Sequence, residues 1–187
     1  MLEQKSQDQV LVSRAVLVAA MISFAAIVRV APHPWNFTPI GATALFAGAM
    51  FRDRRAAFLF PLTALLAGDF LIGMHRLIPV VYASFLLEVL IGTWLGKRQS
   101  VPRIGLAVVF GALEFFLITN FAIWKVFDNY PHTLAGLGAC YLAGLPLFAN
   151  TLAGDALYAS LLFGSFAAAE RLQPTLCEPT SHAAVRP

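Results

Sequence analysis

The chain alternates between long apolar stretches and short polar or charged stretches, a pattern typical of helices joined by short connections. Six apolar stretches are long enough to form helices, and together they predict an all-α fold. The predicted helices are 14–30, 40–51, 56–74, 77–95, 104–124 and 141–163. Residues 134–140 are expected to form a turn that leads into the sixth helix.

A Pro-rich segment, residues 32–39, separates the first two predicted helices. Its three prolines remove backbone donors and exclude a regular helix. The apolar run that follows, 40–51, would be about 18 Å long as a helix, whereas a bilayer core is about 30 Å thick. Either this helix does not span a membrane, or the Pro-rich segment enters the membrane and completes the crossing. We adopt the second interpretation, because irregular backbone is tolerated there when it lines a cavity or is buried in protein.

The composition places the chain among integral membrane proteins. It has 187 residues, of which 59% are hydrophobic and 12% charged, whereas soluble domains carry about 25% charged residues. We therefore predict a polytopic membrane helical bundle of about six transmembrane helices, with the Pro-rich segment re-entrant or interfacial between helices 1 and 2. The bundle would comprise residues 14–166, between a cytoplasmic tail or interfacial helix at 1–13 and a flexible cytoplasmic tail at 167–187.

The basic residues indicate the orientation of this bundle. With both termini cytoplasmic, ten basic residues would lie inside: Lys5, Arg14, Arg52, Arg54, Arg55, Lys97, Arg98, Arg103, Arg171 and Arg186. Three would lie outside: Arg29, Arg76 and Lys125. This is a strong positive-inside bias, and it predicts a multi-pass protein of a plasma membrane, in contact with lipid. It also explains the net charge of +3 without a nucleic-acid partner.

Four carboxylates fall inside the apolar stretches: Asp69, Glu88, Glu114 and Asp155. Each costs several kcal/mol in a membrane unless it faces a cavity, is paired or is protonated. Helix geometry places several polar residues in the outer half of the membrane, under the Pro-rich segment. These residues are His33, Asn36, Thr38, Asp69, Asn120 and Asn150. We expect a ligand captured from outside to bind at such a place.

Structural roles remain open for the same residues. The buried carboxylates can bond to free backbone groups, or to Arg29 or Arg76, and thereby hold helices together. Asn36 and Thr38 can cap the second helix, since Asn and Thr are natural N-terminal caps. Asn120 and Asn150 belong to the residue types that join membrane helices by hydrogen bonds.

A four-residue sequence, Leu-Ala-Gly-Asp, occurs twice. It ends at Asp69 in the third predicted helix and at Asp155 in the sixth, and each copy follows a Pro-Leu pair, at 61–62 and 146–147. Three plus three helices with inverted halves are common in transporters. Chance is the other explanation, because Leu, Ala and Gly are common in membrane helices.

The sequence lacks the motifs of intramembrane and nucleotide-dependent enzymes. It has no Gly-x-Gly-Asp, since Asp69 and Asp155 follow Ala-Gly, and no Gly-x-Ser-x-Gly, His-Glu-x-x-His or glycine-rich phosphate loop. The histidines form no ligand pair, and Cys140 and Cys177 would lie on opposite sides of the membrane. We therefore predict no enzyme activity, no catalytic residue, no metal and no cofactor.

Four sequence motifs resemble those of a family of uncharacterised bacterial six-helix membrane proteins, over about residues 14–166. They are His33-Pro34-x-Asn36-Phe37-Thr38-Pro39-Ile40, Leu66-Ala67-Gly68-Asp69, Thr119-Asn120-Phe121 and Asn150-Thr151-Leu152-Ala153-Gly154-Asp155. That family is similar in size, helix count and polar placement to the substrate-binding (S) components of energy-coupling factor transporters. The resemblance implies high-affinity binding of a vitamin-like or metal substrate, with a separate transmembrane coupling protein and two ATPases as partners.

S components often contact the coupling protein through Ala-x-x-x-Ala on helix one, and Ala15 and Ala19 fit this spacing. The chain lacks the His-rich N-terminus expected of a nickel or cobalt binder, which argues against a metal substrate. The resulting hypothesis is a substrate-binding component for uptake of a small organic, vitamin-like molecule. Its predicted substrate-binding residues are Trp35, Asn36, Phe37, Thr38, Asp69, Asn120, Asn150 and Asp155, with Trp35 and Phe37 covering or stacking on the ligand. The alternative is a scaffold or assembly protein that binds no substrate.

Overall fold

The computed structural model describes residues 2–30, 32–96 and 98–173, and these ranges contain six helices and no strand. The helices are α1 (Leu2–Val30), α2 (Ile40–Met50), α3 (Arg54–Ile72), α4 (Ile78–Leu95), α5 (Val101–Val126) and α6 (Leu134–Leu172). The predicted all-α fold of six helices is confirmed. The end of the predicted C-terminal tail, residues 174–187, lies outside the described residues.

Two helices are longer than the hydrophobic pattern predicted. α1 begins at Leu2, within the stretch expected to be a tail. α6 begins at Leu134, so the predicted turn at 134–140 is wrong. The side chain of Thr133 accepts a hydrogen bond from Gly136 N at 3.1 Å, and this N-cap starts the helix at Leu134.

Four of the helices are long and apolar enough to cross a membrane. They are α4, α5, α6 and the Val12–Arg29 part of α1. α3 carries charged residues near both of its ends, and α2 has 11 residues. By length and composition, the chain therefore has the character of a membrane protein.

The short helix α2 forms the centre of the bundle. Nine of its 11 residues are buried, and it contacts each of the other five helices. Its Phe46 is fully buried and packs edge-on against Phe163 and Phe166 of α6, with ring centroids 5.2 and 5.8 Å apart. Most of the apolar core thus forms around a helix that is about 16 Å long.

Glycines allow α2 and α4 to touch along their backbones. A Cβ atom added to Gly48 of α2 would lie less than 3.0 Å from the carbonyl oxygen of Val89, and one added to Gly92 of α4 would meet that of Leu45 equally closely. Small residues permit such close approach between helices. Glu88 lies one turn before Gly92, on the same face of α4, so this contact places Glu88 beside α2.

The Pro-rich segment forms a tight turn against the middle of α6. Phe37 N donates to Pro34 O at 3.0 Å, and Asn36, inside the turn, has φ 61°, a conformation that Asn tolerates better than most residues. Asn150 Nδ2 donates to Trp35 O at 3.0 Å. Because Asn150 is 16 residues into α6, the turn lies about 24 Å along that helix from its first residue.

Candidate functional site

A cavity of about 230 Å³ lies between the Pro-rich segment, the start of α2 and the surrounding helices. Its polar lining comes from three helices, the Pro-rich segment and the α3–α4 connection: Arg29, Asn36, Thr38, His75, Glu88, Thr151 and Asp155. Its apolar lining is Ile40, Val81, Phe85 and Phe115. The cavity therefore combines charged and hydroxyl groups with an aromatic wall, as small-molecule sites do.

Asp155 caps the first turn of α2 from α6. Its Oδ1 accepts a hydrogen bond from Ala42 N at 3.0 Å, and the residue is 2% exposed. The local N-cap, Pro39, supplies no side-chain hydrogen bond, so the interpretation of Asn36 and Thr38 as caps is wrong. A Cβ on Gly41 would lie 2.5 Å from Asp155 Oδ1, so this glycine makes room for the carboxylate. A negative charge here is stabilised by the helix dipole.

Asp155→Ala is expected to lower the free energy of unfolding by about 1–3 kcal/mol, because a buried amide loses its acceptor. Asp155→Asn is the matched control, since its amide oxygen still accepts from Ala42 N, and it should lose less than half as much. Unfolding of the purified protein in mixed micelles, followed by helical circular dichroism, measures both. Equal losses would show that the hydrogen bond does not account for the effect.

Asp69 pairs with Arg29 at the end of α1. Arg29 Nη2 lies 2.7 Å from Asp69 Oδ1, and Arg29 Nη1 donates to Leu65 O at 3.0 Å. A Cβ on Gly68 would lie 2.5 Å from Arg29 Nη1. Asp69 is 2% exposed and does not line the cavity, whereas Arg29 does. The structural interpretation of Asp69, a helix-joining ion pair with Arg29, is the one that the structure shows.

The two Leu-Ala-Gly-Asp copies have parallel roles. In α3, Gly68 makes room for Arg29 and Asp69 binds it. In α6, a Cβ on Gly154 would lie 3.2 Å from the backbone of the Pro-rich segment, and Asp155 binds the helix that follows this segment. In each copy the glycine leaves room for a neighbouring group, and the aspartate forms a hydrogen bond to a different helix.

Glu88 is a cavity residue that was left out of the predicted site. It is 1% exposed, and its Oε2 has no hydrogen-bond partner. Ser84 and Gly92 lie one turn before and one turn after Glu88 on the same helix face, but small residues in this pattern indicate close packing between helices as readily as a binding site. Arg29, His75 and Thr151 were also missed as lining residues. Thr151 lies one turn before Asp155 on the same face of α6, which is the signal that pointed to it.

Three of the eight predicted site residues line the cavity: Asn36, Thr38 and Asp155. The other five, Trp35, Phe37, Asp69, Asn120 and Asn150, do not line it. Trp35 is 83% exposed, and Phe37 packs edge-on against Tyr158 at 6.0 Å. Asn120 Nδ2 donates to Phe116 O at 2.8 Å. His33, also expected to converge with them, has its ring nitrogens 2.9 Å from Arg29 O and Pro34 O.

One protein-family model matches residues 9–176, and its description is "Family of unknown function (DUF6580)". The chain belongs to this family. No curated protein and no solved structure matches the chain. The range covered by the DUF6580 model includes every residue that lines the cavity.

Proposed function

We propose that this DUF6580 protein is an integral membrane protein that binds a small organic molecule in the cavity, as the substrate-binding component of an uptake transporter. The observation that carries the proposal is a cavity of about 230 Å³ with two buried carboxyl side chains, Glu88 and Asp155, in its wall. A scaffold would have no reason to leave such a space unpacked, since protein interiors are close-packed. The volume lies below the ~300–1,000 Å³ typical of drug-sized ligand sites, so it suits a small nutrient.

The membrane placement of α2 supports this role. Asp155, which caps α2, lies 21 residues after Leu134 and 17 before Leu172, or about 31 and 26 Å from the two ends of α6. If α6 spans the membrane, α2 starts near the midplane and the Pro-rich segment fills the remaining half. Together they form one of six crossings. Half-helices that begin at mid-membrane are a common device of transporter binding sites.

Both termini are proposed to be cytoplasmic in the bacterial inner membrane, as the positive-inside bias predicts. The salt bridge between Arg14 and Glu170 agrees with this arrangement, because it joins the first half of α1 to the last turn of α6. In α3, the ion pair with Arg29 offsets the charge of Asp69, which makes a crossing by this helix less costly.

The chain has no glycine-rich phosphate loop, which fits a component that obtains energy from separate ATPases through a transmembrane coupling protein. α1 offers a surface for that protein. Val12, Val16, Phe24 and Ile27 are each more than 60% exposed, and Ala15 is exposed beside them. Such an apolar face suits either lipid or a partner helix, and the resemblance to S components favours the partner for part of it.

We expect a vitamin-like compound to raise the thermal midpoint of the detergent-purified protein in a panel of water-soluble vitamins. In Val81→Phe, at least about ten times more of the compound should be needed for the same shift, because the added ring would fill space that Val81 borders. Val109→Phe is the matched control, since Val109 is 46% exposed on α5 and does not line the cavity. The control should bind as the unmodified protein does.

The alternative, a scaffold or assembly protein, has its own support, because Asp69, Asn120 and Asn150 make contacts within the bundle. It predicts that no compound in the panel stabilises the protein, and that Val81→Phe raises the thermal midpoint by filling an unused space. That pair of results would overturn the transport proposal.

A further inference from the structure

The acidic side chains in the cavity wall have no ion-pair partner among the described residues. Arg29 reaches the cavity, but its guanidinium is paired with Asp69 at 2.7 Å. Glu88 and Asp155 also line the cavity, and neither forms a salt bridge within the described residues. The N-terminus of α2, which would otherwise attract an anion, is already occupied by Asp155 Oδ1. An anionic ligand would therefore meet repulsion from two carboxyl side chains, and among the described lining residues the imidazole of His75 is the only basic group that is not already in an ion pair.

Glu88 lacks a partner although it is almost completely buried. It is 1% exposed, and its Oε2 makes no hydrogen bond. Its neighbours on α5 do not supply one: Gly111 has no side chain, and both carboxyl oxygens of Glu114 are themselves without a partner. A buried ionised carboxylate is costly unless it is paired and hydrogen-bonded. A ligand that brought a positive charge and N–H donors would remove this cost.

The wall beside Glu88 is aromatic. Phe85 and Phe115 both line the cavity, with ring centroids 5.3 Å apart and an angle of 32° between their planes. The faces of aromatic rings attract ammonium groups. A carboxylate next to two phenyl rings is a combination that favours organic cations over neutral molecules of the same shape.

We propose that the cavity binds a small organic cation, an amine or a quaternary ammonium compound, with its charged group between Glu88 and the Phe85–Phe115 wall. This inference rests on the proposed function and adds the substrate class to it. Thr38 and Thr151 line the same cavity, and the Thr151 hydroxyl, which donates to Leu147 O at 3.0 Å, can still accept a hydrogen bond from a polar group of the ligand.

The experiment compares four probes that share a benzyl or phenyl skeleton and differ in charge: benzylamine, benzyltrimethylammonium, benzyl alcohol and benzoate. Equilibrium dialysis with the purified full-length protein in detergent gives their dissociation constants at one pH and ionic strength. We expect benzylamine to bind at least about tenfold more tightly than benzyl alcohol, because a charge-assisted hydrogen bond is worth about 1.5–3 kcal/mol. Benzoate should bind most weakly of the four.

Glu88→Gln should reduce the preference for benzylamine over benzyl alcohol to about onefold, mainly by weakening the binding of benzylamine. Glu114→Gln is the matched control, because Glu114 is a second partnerless carboxyl side chain that does not line the cavity, and it should keep the preference. Phe85→Leu should weaken benzyltrimethylammonium more than benzyl alcohol. This variant tests the aromatic wall independently of any loss of folding in Glu88→Gln.

The outcomes distinguish a failure of the cation assignment from a failure of the proposed binding function. If benzyl alcohol or benzoate binds as tightly as benzylamine, the assignment of a cationic substrate is overturned and the proposed binding function stands. If Glu88→Gln folds and keeps the preference, Glu88 is not the site of the charge, which also overturns the assignment. If none of the four probes and none of the vitamins binds, both the cation assignment and the proposed function fall.

Discussion

Asp69→Ala is expected to lower the free energy of unfolding by about 3–5 kcal/mol, the loss typical when one partner of a buried ion pair is removed. The side chain of Arg29 is 12% exposed and that of Asp69 3%, so the substitution leaves a guanidinium inside the bundle with Leu65 O as its remaining acceptor. The loss should separate the ends of α1 and α3. Unfolding in mixed micelles of increasing sodium dodecyl sulfate, followed by circular dichroism, measures it.

Two further variants sharpen the test. Asp53→Ala is the matched control on the same helix, because Asp53 is exposed and caps α3 by accepting from Arg55 N at 2.9 Å; it should cost about 1 kcal/mol. The double variant Arg29→Met/Asp69→Leu should recover most of the loss, since no buried charge is left unpaired. An Asp69→Ala loss no larger than that of Asp53→Ala would contradict a stabilising role for the ion pair.

The helices were predictable because their signal is local. An apolar run between polar breaks indicates a helix wherever the run packs, and the Pro-rich break before Ile40 located the start of α2 correctly. The sequence does not show which residue accepts the hydrogen bond from the first turn of α2. The acceptor for Ala42 N is Asp155, 113 residues further along the chain, and nothing local distinguishes this aspartate from Asp69.

The same limit applies to the candidate site. Asn36 and Thr38 were predicted at the cavity because they adjoin the helix break, and the structure places both there. Asn120 and Asn150 look equally polar in the sequence, but their amides donate to the main chain at Phe116 and Trp35. Only the tertiary contacts separate a polar side chain that is already bonded from one that faces a cavity.

Glu88 shows the opposite error, because it lines the cavity but is not among the predicted site residues. Its helix face also carries Ser84 and Gly92, a pattern that indicates close packing, and Gly92 does pack against the backbone of α2. One turn before Gly92, Glu88 lines the cavity together with Ile40 and Gly41, the first residues of α2. The same face of α4 therefore packs against α2 at Gly92 and lines the cavity at Glu88.

Gly48→Ala is expected to lower the free energy of unfolding by about 3 kcal/mol, at the upper end of the usual cost of overpacking. The added Cβ would lie less than 3.0 Å from the backbone oxygen of Val89 and also from the backbone nitrogen of Thr93. Backbone atoms cannot move aside as a flexible side chain would, so α4 has to shift away from α2. Since α2 contacts every other helix, that shift disturbs the core, and unfolding in mixed micelles measures the loss.

Gly105→Ala is the control that makes this result interpretable, because it applies the same substitution within a helix where the space is open. Gly105 lies in α5, and a Cβ there would meet nothing within 4 Å. Alanine is favoured over glycine in a helix interior by about 0.5–1 kcal/mol, so Gly105→Ala should stabilise the protein while Gly48→Ala destabilises it. Effects of the same sign and size at the two positions would mean that helix propensity alone governs them, and that α2 and α4 are not in backbone contact.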